Sequence, residues 1–554
     1  MMRTPATEQA SEARTPLRPG DGAEGGAAPG ARPVLAAALA AVLIAALDLT
    51  VIATILPRVV FDLGINAAEI DRYSWIVSGY LLAYLITIPV MGRVSDLVGR
   101  RPVFWAALGL FAAGSVWCVL ADGLVSLVAA RMVQGFGGGA LVPVTLALAA
   151  DLLPPRRRAA AVGAIGAIDT LGWVLGPLWG AGIYAWFGAR RLGPVDDWRW
   201  VFALNIPLAV AVVATLAFVW RRHARPEKRE TRERGDFDWP GALALTVALV
   251  LLNLALSSGA EAGGTRAFGA EANPFAPYRL PLLAGAAAAL AGFIFLARRS
   301  RSPLIPLGLF RDRVFSAANG ANLLVGAALI VVMVDVPLLV SLLETDAGRV
   351  SLISALLLTP FTLAMAAGAA AGGLLTERLG YRAVAVAGLA AAALGFWRMG
   401  GWPQNLAYGR MTADLLLCGL GFGLVIAPVG AAAINSAPRG ALGIASSLVM
   451  VMRLVGMMVG ISALTSWGVG RLNTLLAALP PLTQNPGETP AAFLQRQSQF
   501  IVEQTVALTL QVLHDTFAIA AVICLVATIP ALLLARGHDG DNKEARAPAI
   551  RGLR

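Results

Sequence analysis

Apolar residues run along the chain in long blocks, with polar residues gathered in short segments between them. A helix needs about 20 consecutive apolar residues to cross a bilayer. Blocks of that size cover 34–56, 73–91, 102–121, 124–150, 159–187, 200–220, 239–257, 279–297, 314–343, 350–376, 383–399, 411–436, 441–468 and 513–535. The pattern predicts an all-α membrane protein of about fourteen spans. An even number returns both termini to the same side.

Composition agrees. Of 554 residues, 57% are hydrophobic and 14% charged, against roughly 25% charged in a soluble protein. The mean hydropathy is +0.71. The net charge of +11 sits in short loops between apolar blocks, where Lys and Arg act as topology signals, so no nucleic-acid partner is expected. The Lys and Arg excess falls on the side shared by the two tails, which predicts a multi-pass cell-membrane protein with both termini in the cytoplasm. Cys118, Cys418 and Cys524 lie inside apolar blocks without ligand-like neighbours. No metal, cofactor or disulfide framework is expected, and no nucleophile constellation or cofactor loop points to an enzyme.

These blocks organise into a cytoplasmic tail (1–33), a six-helix bundle (34–220), a basic connector (221–238), an inserted helix pair (239–297), a cytoplasmic loop (298–313), a second six-helix bundle (314–535) and a tail (536–554). Within the second bundle a long external segment, 469–512, carries a Pro-rich turn. After that turn, the residues from Phe493 read as an amphipathic helix, so the last two spans are expected to project beyond the bilayer.

An internal repeat relates the bundles. Gly92-Arg-Val-Ser-Asp96-Leu-Val-Gly99-Arg100-Arg101 and Gly373-Leu-Leu-Thr-Glu377-Arg-Leu-Gly380-Tyr-Arg382 share Gly, acid, Gly and Arg at one spacing. Gln134-Gly-Phe-Gly-Gly-Gly likewise resembles Cys418-Gly-Leu-Gly-Phe-Gly, and at that same offset Gly172 and Gly176 match Gly456 and Gly460. Repeats of this kind build a midplane site between two lobes.

With these motifs the chain resembles the major facilitator superfamily, and within it the fourteen-helix drug:proton antiporters that include EmrB- and QacA-like pumps. The resemblance spans about Leu35 to Leu534. It implies that the Gly92–Arg101 loop, with Asp96 set against a helix N-terminus, locks a cytoplasmic gate. It also implies that Arg131, in Arg131-Met-Val-Gln134-Gly135-Phe-Gly137, serves proton coupling, although Arg131 stands near a span end from which it could snorkel. Gly163, Gly172, Gly176, Pro177 and Gly180 match the family's antiporter signature, with Ala181 where a second Gly is usual. Leu47-Asp48-Leu-Thr50-Val-Ile-Ala53-Thr54-Ile-Leu-Pro57 resembles the drug-pump pattern, with Ala53 in place of Asn. Trp198-Arg-Trp-Val-Phe202-Ala-Leu-Asn205-Ile-Pro207 is characteristic of the branch, and Trp198 and Trp200 are expected as interfacial anchors.

Ionisable residues inside spans are functional candidates by default. Asp48, Arg131, Asp169, Asp335 and Arg453 qualify as proton-coupling candidates. The repeat offset makes Asp169 and Arg453 equivalent, which predicts that they pair across the central cavity in at least one conformation; a static pair or two water-facing groups remain the alternatives. Tyr80, Tyr84 and Trp173 are candidates to line the cavity. The expected function is proton-coupled export of lipophilic or amphipathic compounds such as drugs, by alternating access. Export of a lipid or lipid-like metabolite is the alternative, since some actinobacterial lipid exporters look similar in the C-terminal half; nutrient uptake and a receptor rank lower. Expected partners are the bilayer, a small lipophilic substrate and protons, with any periplasmic or extracellular protein left open.

Overall fold

The computed structural model describes residues 30–63, 75–187, 197–222, 237–264, 276–344, 347–402, 408–480, 482–485 and 488–534. The expected tails and most of the basic connector lie outside the described residues. The first bundle comprises α1 (Ala31–Asp62), α2 (Trp75–Val98), α3 (Arg100–Leu120), α4 (Leu124–Leu152), α5 (Pro155–Phe187) and α6 (Trp200–Arg222). Then come α7 (Trp239–Gly264) and α8 (Arg279–Arg299), followed by α9 (Arg313–Leu343). The element Ala347–Met399 breaks at Gly380, whose φ of 80° and ψ of 165° are not helical, into α10 (347–379) and α11 (381–399). The second bundle closes with α12 (Tyr408–Ser436), α13 (Leu442–Ala477) and α14 (Pro490–Ala531). Among the described residues, twelve helical elements are long and apolar enough to cross a membrane.

The two repeated motifs were expected to be short loops, and they are mostly helix. Residues 92–98 finish α2, and the turn into α3 narrows to Gly99 at φ 116°. Its counterpart narrows to Gly380. Both backbones sit in a region that side chains with a Cβ adopt at a cost, so one glycine suffices to redirect the chain. The external segment also differs from a loop. Helix α13 continues to Ala477 and α14 begins at Pro490, under a Thr489 cap that accepts from the Ala492 amide at 3.3 Å. At about 1.5 Å per residue, helices of 36 and 42 residues span about 54 and 63 Å, well beyond a hydrocarbon core of about 30 Å.

Small residues set the packing inside each bundle. Helix α5 lies against α1, and α13 against α9. A methyl on Gly172 would strike Ala46, and one on Gly176 would strike Thr50 and the Leu47 carbonyl. Their repeat mates behave alike: Gly456 abuts the Leu323 carbonyl and Gly460 the Ala327 carbonyl. Without a hydrophobic drive between helices in lipid, such close backbone approach is what holds them together.

The bundles meet along two seams, α2 with α13 and α5 with α10. Gly92 faces Gly443 and Ser447 across the first; Gly163 faces Ala369, and Gly373 faces Ala159, across the second. A buried apolar cluster that includes Leu146, Ala159 and Val162 from the first bundle and Ala431, Ile434 and Leu442 from the second seals this end. Toward the other end, the cluster around Val51, Ile76, Leu127, Trp198 and Phe202 draws on the first bundle alone. The inserted pair α7–α8 rests on one flank only, with α7 against α13 and α2. Asp238 anchors it, accepting from the Gly241 and Leu304 amides at 3.0 Å each.

Candidate functional site

The first bundle holds a fully buried polar network. Arg131 Nη1 lies 2.6 Å from Asp48 Oδ2, and both side chains are 0% exposed. Arg131 Nη1 also donates to Gln134 Oε1 at 2.6 Å. Asp48 Oδ1 accepts from Gln134 Nε2 at 2.9 Å and from Asn205 Nδ2 at 2.7 Å, while Gln134 Nε2 also reaches the Ser115 hydroxyl at 2.9 Å. The guanidinium lies 4.1 Å from the centre of the Tyr80 ring. Helices α4 and α6 thus supply the α1 carboxylate with three donors, which is what a buried charge requires. Arg131 therefore does not snorkel: its side chain is fully buried against Tyr80, Phe202 and the network.

Tyr80 also departs from expectation. It is 0% exposed, braced between Arg131 and Tyr84 (ring centroids 6.1 Å apart), so it packs beside the charge instead of lining a cavity. Trp198 is not an interfacial anchor either. It is 0% exposed, edge-on to Phe202 at 6.1 Å, because the 3₁₀ turn Asp197–Arg199 tucks it under the end of the bundle. Trp200 is half-buried beside it.

Asp169 stands on α5 and Arg453 on α13. They do not close an ion pair within 4.0 Å in this conformation. Instead, Arg453 Nε donates to Asn322 Oδ1 at 3.3 Å, and Asn322 Nδ2 donates to the Val449 carbonyl. Asp169 Oδ1 and Trp173 Nε1 are buried without well-aligned partners. Asp335 lies apart, accepting from the Thr516 hydroxyl at 2.6 Å. Within the antiporter signature Gly163 sits at the α5–α10 seam, Gly172 and Gly176 sit on α1, and Gly180 is buried in α5. The Pro177 side chain lies outside the described residues.

A third centre closes one end. Asp96 Oδ1 and Oδ2 accept from the Gly443 and Ile444 amides at 2.8 and 2.9 Å. These are first-turn amides of α13, which have no intrahelical acceptor and favour an anion. Arg100 Nη1 braces Asp96 at 2.6 Å, and Arg100 Nε reaches Asp151 at 2.9 Å. Gly92 lets α2 approach Gly443 closely enough for this contact. Arg101 packs over Trp220 at 5.3 Å. In the second motif Gly373 occupies the equivalent seam, whereas Glu377 is exposed and Arg382 half-buried.

Gln134, Asn205 and Asn322 were readable as polar residues inside spans; attention to ionisable groups alone passes over them. Arg158, Tyr381 and Asn435, which gather at the same end, carry no sequence signal, because only the seam between bundles brings them together, while Asp151 meets Arg100 within the first bundle.

The sequence and the fold both have known relatives. The model of the Major Facilitator Superfamily matches residues 38–461. The chain belongs to this superfamily. It is therefore a multi-pass membrane transporter by family, not an enzyme. A triacylglyceride transporter of Mycolicibacterium hassiacum is 36% identical over 521 residues, 91% of this chain and 92% of the relative. A triacylglyceride transporter of Mycobacterium tuberculosis is 35% identical over 519 residues, 90% and 94% of the two chains. Among solved structures, the human organic anion transporter TETRAN superposes with a TM-score of 0.58 at 16% identity, covering 91% of this chain and 100% of that one. The proton:xylose symporter XylE gives 0.52 at 14%, covering 89% and 94%. At such identities the structural likeness speaks for the fold alone.

Proposed function

We propose that this transporter exports a neutral lipid of the acylglycerol class by proton-driven alternating access. One observation carries the reading: relatives named triacylglyceride transporters match about nine-tenths of the chain end to end. The lengths of α13 and α14 support it, since a very apolar cargo benefits from a protein surface that continues past the bilayer. Drug export, which the antiporter-like motifs suggest, becomes the second reading.

In the proposed topology the fourteen helices each cross once: α5 and both arms of the Gly380-broken element join the remaining elements. The clasp end, with Asp96 and Arg100, faces the cytoplasm together with both termini, as the distribution of Lys and Arg favours. The conformation is then closed to the cytoplasm. Asp48 with Arg131, Asp169 with Arg453, and Asp335 are the proposed proton-coupling groups.

The test is reconstitution into liposomes carrying a fluorescent triacylglycerol, with an imposed pH gradient and acceptor vesicles outside. Gradient-dependent lipid transfer that Asp169→Asn abolishes supports the proposal. Gradient-driven ethidium efflux without lipid transfer would replace it with the drug reading.

A further inference from the structure

The internal repeat predicts two matching clasps at the closed end, yet only one is built on an acid. Asp96 finds free amides because α13 starts at Leu442, so Gly443 and Ile444 lie in its first turn. The positions that face Gly373 across the other seam are Ala159 and Ala160. Helix α5 starts earlier, at Pro155, so the amides there are already committed to intrahelical carbonyls. Glu377 has no anion seat to occupy, and it is exposed with no hydrogen bond or ion pair among the described residues.

Something else spans that seam. Arg158 Nη1, on α5, donates to Asn435 Oδ1 of α12 at 2.9 Å. Asn435 Nδ2 donates to the Tyr381 hydroxyl at 2.7 Å, with a longer contact of 3.5 Å to the Pro155 carbonyl. Arg158 Nε is itself steadied by the Leu153 carbonyl at 3.3 Å. Tyr381 stands one residue past Gly380, where the positive φ turns the chain, and its ring packs on the apolar seal beside Ala437. The amide of Asn435 suits this place because it offers an acceptor to one bundle and donors to the other.

We infer that Asn435, held between Arg158 and Tyr381, is the second clasp of the gate, replacing the acid that the repeat leads one to expect at Glu377. The gate thus closes with unlike chemistry on its two seams: a carboxylate on a helix end at α2–α13, and an amide bridged by a guanidinium and a phenol where α5 meets α11 and α12. Asn435 is a positioning residue for alternating access. The inference rests on the family mechanism and not on the identity of the cargo.

The test reads the gate directly, without cargo. Spin labels at Arg222→Cys and Arg313→Cys, both exposed and lying at the ends of α6 and α9 outside both gate motifs, report the separation of the bundles in lipid nanodiscs. The three native cysteines are buried and are replaced by Ala. Distances are measured with Asp96 intact and in an Asp96→Asn background, where the first clasp is weakened. Asn435→Ala is expected to raise the open-to-closed ratio about ten- to hundredfold, the range for hydrogen bonds to a charged group. Tyr381→Phe, which removes one acceptor and keeps the ring, is expected to raise it about two- to tenfold. Glu377→Gln should leave the distribution unchanged. Wild-type distributions for both Asn435→Ala and Tyr381→Phe in both backgrounds would overturn the inference, as would opening by Glu377→Gln. Should Asn435→Ala fail to accumulate, Tyr381→Phe against Glu377→Gln decides the matter.

Discussion

Replacing Asp48 by Asn or Arg131 by Met breaks the same buried ion pair, yet the two variants are expected to differ in stability. Both partners are 0% exposed, and breaking a buried pair costs about 3–5 kcal/mol. Asp48→Asn leaves the guanidinium stranded, and a guanidinium cannot shed its proton. The new amide also turns a donor group toward Arg131, Gln134 and Asn205, all of which now donate to Asp48. The full 3–5 kcal/mol is therefore expected, by the same estimate for a broken buried pair. Arg131→Met strands a carboxylate that keeps its Gln134 and Asn205 donors and can neutralise itself by taking a proton. Methionine also refills the space over the Tyr80 ring with a favourable sulfur–aromatic contact. Its expected cost is about 1–3 kcal/mol, the penalty for a partly unsatisfied buried group. The double variant Asp48→Leu/Arg131→Met should cost less than the sum of the singles, since an apolar replacement of a buried pair is often near neutral. The assay is reversible denaturant unfolding in mixed micelles, run as a double-mutant cycle. Equal costs for the two single variants, a larger cost for Arg131→Met, or simple additivity would refute this account of the network.

Asp96→Asn is expected to weaken the first clasp by about 2–4 kcal/mol, from lost charge at the helix end and lost charge-assisted bonds to Arg100; in inside-out vesicles, Ser447→Cys beside Gly92 should then react faster with an impermeant maleimide. Gly176→Ala and Gly456→Ala should each cost about 1–3 kcal/mol through overpacking against Thr50 and the Leu323 carbonyl, whereas Gly182→Ala, with open space around it, should stay within about 0.5 kcal/mol; thermal unfolding in detergent separates them. Beyond the membrane, Glu488 clasps Arg496 at 2.9 and 2.7 Å and accepts from the Asn485 amide. The Arg496 hydrogen bonds hold the Glu488 carboxyl below its usual range. A depressed folded-state value means that the clasp contributes order above the ordinary glutamate range and loses it as pH falls through the folded value. Amide exchange over 484–496 should therefore be slow at neutral pH and accelerate only under acid conditions. Glu488→Gln should exchange fast at both, without changing global unfolding.

Much of this protein can be read from apolar spacing alone. Block length gives the spans, because lipid forces every backbone amide to pair within its own helix. The glycine offsets give the bundle joints, because only glycine lets backbones touch as they do at Gly176 with α1 and Gly456 with α9. Intramembrane charge picks out Asp48 and Arg131, because such residues are costly in lipid and turn toward the protein interior. The identity of that partner was not legible: Arg131 chooses Asp48, 83 residues away, and Asp169 and Arg453, matched by the repeat, stay unpaired. The repeat also carries the glycine of each gate motif correctly and misplaces the acid of the second. Whether an acid can clasp a helix depends on where that helix begins, and α5 begins earlier than α13. Sequence periodicity records which residues are alike; only the folded seam decides which backbone amides are still free to receive them.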